Sequence, residues 1–359
     1  MAAGWQFWID RGGTFTDIVA LDPDGKVAVR KLLSENPEQY PDAALHGIGR
    51  ILQEFGAGGK VGIAAVKMGT TVGTNALLER KGAPVALVTN RGLRDCLYIG
   101  YQNRPDIFAL QIRRPEPLYR AVAEIDVRVG ADGRVVQALD PDQANAELRR
   151  IYDLGIRNLA IVLMHAWRYP QHELALAELA AGIGFEHISL SHRASPLPKF
   201  VARGDTAVVD AYLSPVLHRY VAQVENGLPA GASRPGLWFM QSNGGLVRAA
   251  VFHGKDSILS GPAGGMVGAV AAAKRAGLAK IIAFDMGGTS TDVAHYAGEL
   301  ERSVDNEIAA SASARRWWRF IPSPPAAALF CISTVCAAGS GRTRPGPIPV
   351  RPVTGAAGR

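Results

Sequence analysis

"IDRGGTFTD" (Ile9–Asp17) and "FDMGGTSTD" (Phe284–Asp292) agree in register at Asp, Gly, Gly, Thr, Thr and Asp. Each follows an apolar stretch, so each reads as a strand, a glycine turn and a second strand. A glycine pair at a strand end permits positive φ and removes the Cβ that would hold a ligand away from the backbone. Successive N–H groups there can converge as an anion nest. Thr14 and Thr16, two residues apart, are expected to add hydroxyl donors on one side. Asp10 ends a buried strand, where packing gives no reason for a carboxylate. Beside a phosphate nest it makes sense with Mg²⁺ between them, held through water. The same expectation covers Asp285, Gly287, Gly288, Thr289 and Thr291. One copy alone is an ordinary Gly-rich turn. Two matching copies at opposite ends of the chain read as the two jaws of one nucleotide clamp. No GxxxxGK[ST] loop and no clean GxGxxG offers a competing phosphate site.

Between the jaws, strand and helix patterns alternate. "WQFWID", "FTDIVALD" and "KVAVRKLLS" read as strands, with a "DPDG" turn between the last two. "PDAALHGIGRILQEFG" has helical spacing with a Pro-Asp start and a Gly stop. Strand–helix pairs follow through "VGIAAVKMGTT", "TNALLERKG", "PVALVTN", "GLRDCLYIG", "DPDQANAELRRIYDLG", "NLAIVLMHA", "PQHELALAELAAGIG" and "HISLSH". A long helix is expected over 205–226, then "GLWFMQSNGG", a helix over "MVGAVAAAKRAG" and the strand "KIIAFDMGG". Such alternation means an α/β fold with a largely buried, partly parallel sheet.

The 359 residues suffice for two domains or one bilobed enzyme. The start lacks a basic segment followed by an apolar core, so no secretory leader is expected. The longest apolar run, 326–338, is too short to span a bilayer. Three cysteines without regular spacing argue against a disulfide framework or a zinc site. A cytoplasmic protein without membrane association is expected. The net charge of +7 is matched by seven arginines in residues 311–359, which hold no lysine and no acid. The body is therefore neutral, and no nucleic-acid partner is expected.

Longer stretches carry a family resemblance. The paired Asp-Gly-Gly-Thr loops resemble the phosphate-1 and phosphate-2 loops of the actin, hexokinase and heat-shock chaperone ATPases. "SGPAGGMVGAVAAAKRAGL" (Ser260–Leu278) sits where that superfamily has its small-residue helix between lobes. "FWIDRGGTFTDIVALD", "KLLSENPEQYPDA", "MGTTVGTNALLERKGAPVALVTNRGLRD", "LSGPAGG" and "FDMGGTSTDVAHYAGELE" are similar to the ATP-dependent hydantoinase/oxoprolinase family over roughly residues 5–308. "KLLSENPEQYPDA" leans toward its 5-oxoprolinase members. The resemblance implies an α/β, actin-like ATPase (ribonuclease H-like) bilobed fold with only the start of the second lobe present. It implies an N-terminal lobe over 5–200, the start of a second lobe over 201–309, and an aberrant tail over 310–359. It implies ATP and Mg²⁺ as cofactors, with Asp10 and Asp285 catalytic and metal-holding. Gly12, Gly13, Thr14, Thr16, Gly287, Gly288, Thr289 and Thr291 would contact the nucleotide. The implied reaction opens a cyclic amide, 5-oxo-L-proline to L-glutamate. A hydantoin or ketone substrate in the same family and a non-enzymatic nucleotide-binding remnant are the alternatives. A hydantoinase B-type half or subunit is the implied partner, in a homo- or hetero-oligomer.

Other residues admit two readings. Thr70, Thr71, Thr74 and Asn75 would hold an anion at a helix start or simply cap it. Arg91, Arg94 and Arg104, with Asn90 and Asn103, would meet a substrate carboxylate or form surface ion pairs. His165 and the His172–Glu173 pair read as structural, since no second histidine completes a zinc motif. Cys96 is expected to be packed, and Asn243-Gly244-Gly245 to form a tight turn. From about Ala310 the resemblance is expected to stop. "RRWWRF" can be encoded by DNA whose neighbouring frame continues the family pattern. The tail is thus expected to be out-of-frame translation, disordered, and the chain an incomplete, inactive fragment.

Overall fold

The computed structural model describes residues 4–56, 62–102, 108, 110, 116–229, 236–286 and 291–300, plus short strand segments up to residue 334. The chain opens with three antiparallel strands, β1 (Trp5–Arg11), β2 (Phe15–Leu21) and β3 (Val27–Leu33). Their alternation is as read: Phe7, Ile9, Ile18 and Ala20 point to one face and are buried, while Trp8, Phe15 and Val19 lie exposed on the other. Asp22 closes the β2–β3 turn by accepting from Asp24 N and Lys26 N, and Gly25 takes φ +87. Helix α1 (Ala43–Glu54) begins at Asp42, whose carboxylate accepts from Leu45 N at 2.9 Å. It buries Ile48, Ile51 and Leu52 under the sheet. The next strand, β4 (Ile63–Thr70), joins parallel to β1, after which α2 (Val72–Leu78) leads away.

A second sheet follows. Its strands include β5 (Val85–Asn90), reached before the one-turn α3 (Cys96–Ile99), and β6 (Tyr119–Ile125). A small hairpin of β7 (Arg128–Val129) and β8 (Val135–Gln137) precedes α4 (Pro141–Asp153). Asp140 caps α4 and Pro141 stands in its first turn, where a missing N–H costs nothing. Then come β9 (Asn158–Val162), α5 (Gln171–Ile183), β10 (His187–Leu190) and the short α6 (Ser191–Ala194). The order β10-β9-β5-β6 is all parallel. Every residue of β5 and β9 is buried, as expected where helices cover both faces.

Helix α7 (Phe200–Gly227) unites the two sheets. Its first half, Ala207 to Leu213, packs on the second sheet; Leu217, Tyr220, Val221 and Val224 pack on the first. A helix buried on nearly all sides has no apolar stripe, so periodicity marks it only from residue 205 although it begins at Phe200. Next, β11 (Gly236–Met240) pairs parallel with β4, and β12 (Leu246–Arg248) closes the edge, giving β12-β11-β4-β1-β2-β3. Residues 236–248, which follow the expected division at residue 200, thus complete the first sheet. Strand order 3-2-1-4, antiparallel then parallel across a helix, is that of the expected ribonuclease H-like lobe.

Helix α8 (Ser260–Arg275) leads to the hairpin of β13 (Ile281–Met286) and β14 (Thr291–Tyr296). Ala263, Met266, Val270 and Ala273 of α8 pack with Ala294 and Tyr296 in a separate small core. Only this beginning of a second α/β unit is described. Within the tail expected to lack regular structure, short strands are present at Trp317–Phe320, Ala328–Leu329 and Ile332–Thr334.

Candidate functional site

The two jaws are built alike. In the first hairpin Asp10 stands opposite Asp17, and Arg11 opposite Thr16. In the second, Asp285 stands opposite Asp292, and Met286 opposite Thr291. The sequence repeat is therefore also a repeat of strand register. Gly287, Gly288 and Thr289 lie outside the described residues, and for Thr291 only its strand position is described.

Asp10 stands where several elements meet. Across the sheet it faces Asp17 on β2 and Gly69 on β4. A Cβ added at Gly69 would lie 3.1 Å from Asp10 Oδ1, and one added at Gly261, in the first turn of α8, 4.0 Å from it. The carboxylate thus lies close against Gly69, where a side chain would crowd it, with the first turn of α8 in ordinary contact on another side. Its residue is solvent-exposed at the sheet's end. Burial raises its pKa above the ordinary 3.8; the charges of Asp17 and Asp285 raise it further, and Lys31 opposes them. Asp285 is therefore close enough for its field to be felt at Asp10. Lys31 Nζ is spent on Asp17, at 2.7 and 2.8 Å.

The crowding has a consequence for stability. The folded state keeps the Asp10 proton to higher pH than the unfolded chain does. The stability it contributes is full below pH 3.8 and is lost as pH rises through the elevated folded value. Unfolding free energies of wild type and Asp10→Asn, measured by urea titration without divalent ions, are expected to diverge as pH climbs through that window. The wild type should be the one that falls. Parallel curves would mean that the carboxylate is not under electrostatic strain.

The expectation for the threonines divides. Thr14 lies in the turn, where its carbonyl accepts from Ser34 N at 2.8 Å. Thr16 is fully buried, its Oγ1 3.0 Å from Ser34 Oγ, and Ser34 Oγ donates to the Gly12 carbonyl at 2.7 Å. Thr16 therefore bolts the glycine turn from behind and does not present its hydroxyl beside Asp10. The two-apart rule failed because Thr14 precedes β2 and does not belong to it. Gly12 N donates to Phe15 O at 3.0 Å, closing the turn; Gly13 follows at its tip.

The segment after β4 joins this site to α8. Thr71 N donates to Arg11 O, Thr74 Oγ1 accepts from Leu259 N at 3.0 Å, and Ser260 Oγ donates to Thr70 O at 3.0 Å. Thr71 makes no side-chain cap. These residues therefore fasten the start of α8 beside Asp10. Arg91 and Arg94 are paired with Asp126 and Glu124, the surface reading. Asn103 and Arg104 lie outside the described residues. Asn243 forms the expected turn, its Oδ1 accepting from Gly245 N. His165 occupies a left-handed turn with φ +61. Cys96 is only half-buried, its thiol pushed up by burial and Asp95.

Sequence reasoning did not find the partners of Asp10 on other elements, Gly69 and Gly261. Nor did it single out Lys31, although strand alternation places it opposite Asp17.

The family profile described as the hydantoinase/oxoprolinase N-terminal region matches residues 6–184, and that described as hydantoinase/oxoprolinase matches residues 203–343. The second match runs past Ala309, where the resemblance was expected to stop. The chain is 43% identical over 336 residues to 5-oxoprolinase 1 of Arabidopsis thaliana, covering 85% of this chain and 26% of that protein. To 5-oxoprolinase of Saccharomyces cerevisiae it is 41% identical over 341 residues, covering 84% and 26%. The present chain thus spans about a quarter of the length of these relatives. Among solved structures, the ATP-dependent caprolactamase from Pseudomonas jessenii superposes with a TM-score of 0.74 at 27% identity, over 92% of this chain and 48% of that one. The nucleotide-free structure of acetone carboxylase superposes with a TM-score of 0.76 at 22% identity, over 93% and 48%, a likeness of fold.

Proposed function

Because this chain belongs to the hydantoinase/oxoprolinase family, we propose that its paired Asp-Gly-Gly-Thr hairpins grip the phosphates of ATP. The nucleotide would drive hydrolytic opening of a cyclic amide, with 5-oxo-L-proline as the substrate. The observation that carries this reading is the placing of Asp10: a solvent-reachable carboxylate close against Gly69, beside the first turn of α8 and within the field of Asp285.

The residues suit a divalent cation. Among the described residues no three His, Cys, Asp or Glu side chains form a metal cage. Mg²⁺ is ordinarily held by one or two carboxylates and shared with phosphate oxygens, and Asp10 and Asp285 offer such a pair. When bound, the ion would neutralise charge on the phosphates during transfer. Gly12 and Gly13 let the backbone approach the phosphates, and Thr14 lies on the same turn. The N-terminus of α8 directs the positive end of its dipole toward the same place. Gly287, Gly288, Thr289 and Thr291 would act likewise from the second jaw. Thr16 contributes by holding the first turn in shape.

The need for ATP follows from amide chemistry. A five-membered lactam is stable, and its nitrogen leaves poorly. Transfer of the γ-phosphoryl group to the amide oxygen, with release of ADP, makes the ring carbon electrophilic. Water adds there, the C–N bond breaks as the nitrogen takes a proton, and a second water releases phosphate. Positioning and charge neutralisation account for most of such a transfer. We assign this chain the nucleotide-gripping part and a hydantoinase B-type half or subunit the hydrolytic part. Among the described residues no helix is long and apolar enough to cross a membrane.

Calorimetric titration of the full chain with MgATP is expected to show saturable binding at one site, in the micromolar range, about −8 kcal/mol. Phosphate release in the presence of a B-type partner is expected to respond most to 5-oxo-L-proline, less to hydantoin and least to acetone. No heat with MgATP removes the nucleotide reading; a preference for hydantoin or acetone replaces the substrate.

A further inference from the structure

The loop that delivers α8 to Asp10 is fastened to the middle of α7 by a buried carboxylate. Asp210, on α7, is 6% exposed. Its Oδ1 accepts from Ser214 Oγ at 3.1 Å and from Lys255 N at 3.2 Å; its Oδ2 accepts from Ser189 Oγ at 2.6 Å. Ser214 Oγ in turn accepts from Gly254 N at 2.9 Å. The loop comes this close only because residue 254 is glycine: a Cβ there would lie 2.6 Å from Ser214 N. Burial pushes the Asp210 carboxyl up, but His253, Lys255, Ser189 and His187 outweigh it and hold it below the usual carboxylate range.

The fastening continues residue by residue toward the site. Lys255 Nζ pairs with the Asp256 carboxylate at 3.0 Å, both side chains buried. The Asp256 carbonyl accepts from Ser242 N at 2.8 Å. Ser257 Oγ donates to Gly254 O and occupies the space above Gly73 of α2, where a Cβ would lie 2.0 Å from it. Ile258 is fully buried in the core beneath α7. Leu259 is held in the left-handed region at φ +57, with its N–H on Thr74, and Ser260 is tied to Thr70. The next residue is Gly261, beside Asp10. A buried ion pair and a leucine at positive φ are both costly, and they persist only where surroundings over-determine them.

We infer that Asp210 is a positioning residue: through Ser214, Gly254 and Lys255 it sets the place of the first turn of α8 beside Asp10, and thereby the grip on phosphate. The second half of that statement rests on the nucleotide reading above; the first does not. Asp210→Asn keeps the shape and removes the charge. In the full chain it is expected to raise hydrogen exchange of the amides of residues 259–264 at least tenfold, with exchange in β5 and β9 unchanged. MgATP affinity should fall about tenfold at a temperature where circular dichroism shows the fold intact. Glu173→Gln, which disturbs a different buried charge, is the control. It is expected to lower the unfolding midpoint yet leave MgATP affinity and exchange over 259–264 within twofold. If Asp210→Asn does not accumulate folded, Ser214→Ala, which removes one bond from Asp210 and one from Gly254, carries the same comparison. Unchanged exchange over 259–264 overturns the positioning role whatever the nucleotide result. Raised exchange with wild-type protein that binds no MgATP supports the positioning of α8 and overturns the nucleotide reading instead.

Discussion

Asp10→Asn is expected to weaken MgATP binding about 100-fold while making the nucleotide-free protein more stable. The affinity loss follows from removing the charge that would face the cation. Interactions with charged groups in a site poised for phosphate are worth about 2–3 kcal/mol, and each 1.4 kcal/mol is about tenfold. The stability gain follows from the same geometry. Burial disfavours the Asp10 charge most, the charges of Asp17 and Asp285 add to that, and Lys31 offsets only part of it. An asparagine fits the space beside Gly69 and Gly261 without the charge. The opposite signs of the two effects separate function from structure, since a merely structural residue would lose both together. Calorimetric titration with MgATP and urea unfolding of the same two proteins test it. Unchanged affinity, or a loss of affinity accompanied by a loss of stability, would remove Asp10 from the proposed role.

Glu173→Ala is expected to cost about 3–5 kcal/mol, the range for breaking a buried charged network from one side. Glu173 is fully buried at the first turn of α5. Its Oε1 accepts from Leu163 N at 2.9 Å and from Ser191 Oγ at 2.5 Å; its Oε2 takes His192 N and lies 2.6 Å from His192 Nδ1. Arg203, also fully buried, lies 3.6 Å away, bonded to Ser191 Oγ and to the Leu163 carbonyl. Burial lowers the Arg203 pKa, and Glu173 opposes that shift. Alanine at 173 leaves a guanidinium in the interior without its counter-charge and four donors without an acceptor. For a protein whose whole stability is about 5–15 kcal/mol, that is a large share. Arg203→Met in the same chain is expected to recover part of the loss, because the stranded charge is then gone. Urea denaturation of the two single variants and the double variant measures the coupling. Additive losses would show that the two charges do not depend on each other.

The contrast between Asp10 and Glu173 shows what was legible along the chain. Asp10 was found because its neighbours in sequence are diagnostic: an apolar strand before it, two turn glycines after it, and a second copy of the whole arrangement. Glu173 looked like the second half of a failed zinc motif. Its partners are Leu163, Ser191, His192 and Arg203, and nothing in the local spacing links them. The α8 start shows a subtler limit. The helical pattern marks the helix only from Met266, while the helix itself begins at Ser260, with Pro262 in its first turn. The first N–H groups of a helix have no internal partner, so proline is tolerated there.

Local chemistry along the chain was enough to specify the alternation of strands and helices, the two duplicated hairpins with their register, and the family. Each depends on residues within a few positions of one another: turn glycines, capping aspartates, and apolar residues at period two or three to four. The joining of β11 to the first sheet, the binding of both sheets by α7, the burial of Thr16 behind its turn, and the approach of Gly69 and the α8 start to Asp10 were decided only by the folded chain. Those relations arise when elements far apart in order compete for the same buried space. Only three-dimensional packing shows which side chain is squeezed inward, which carboxylate is left facing another, and where a missing Cβ leaves room.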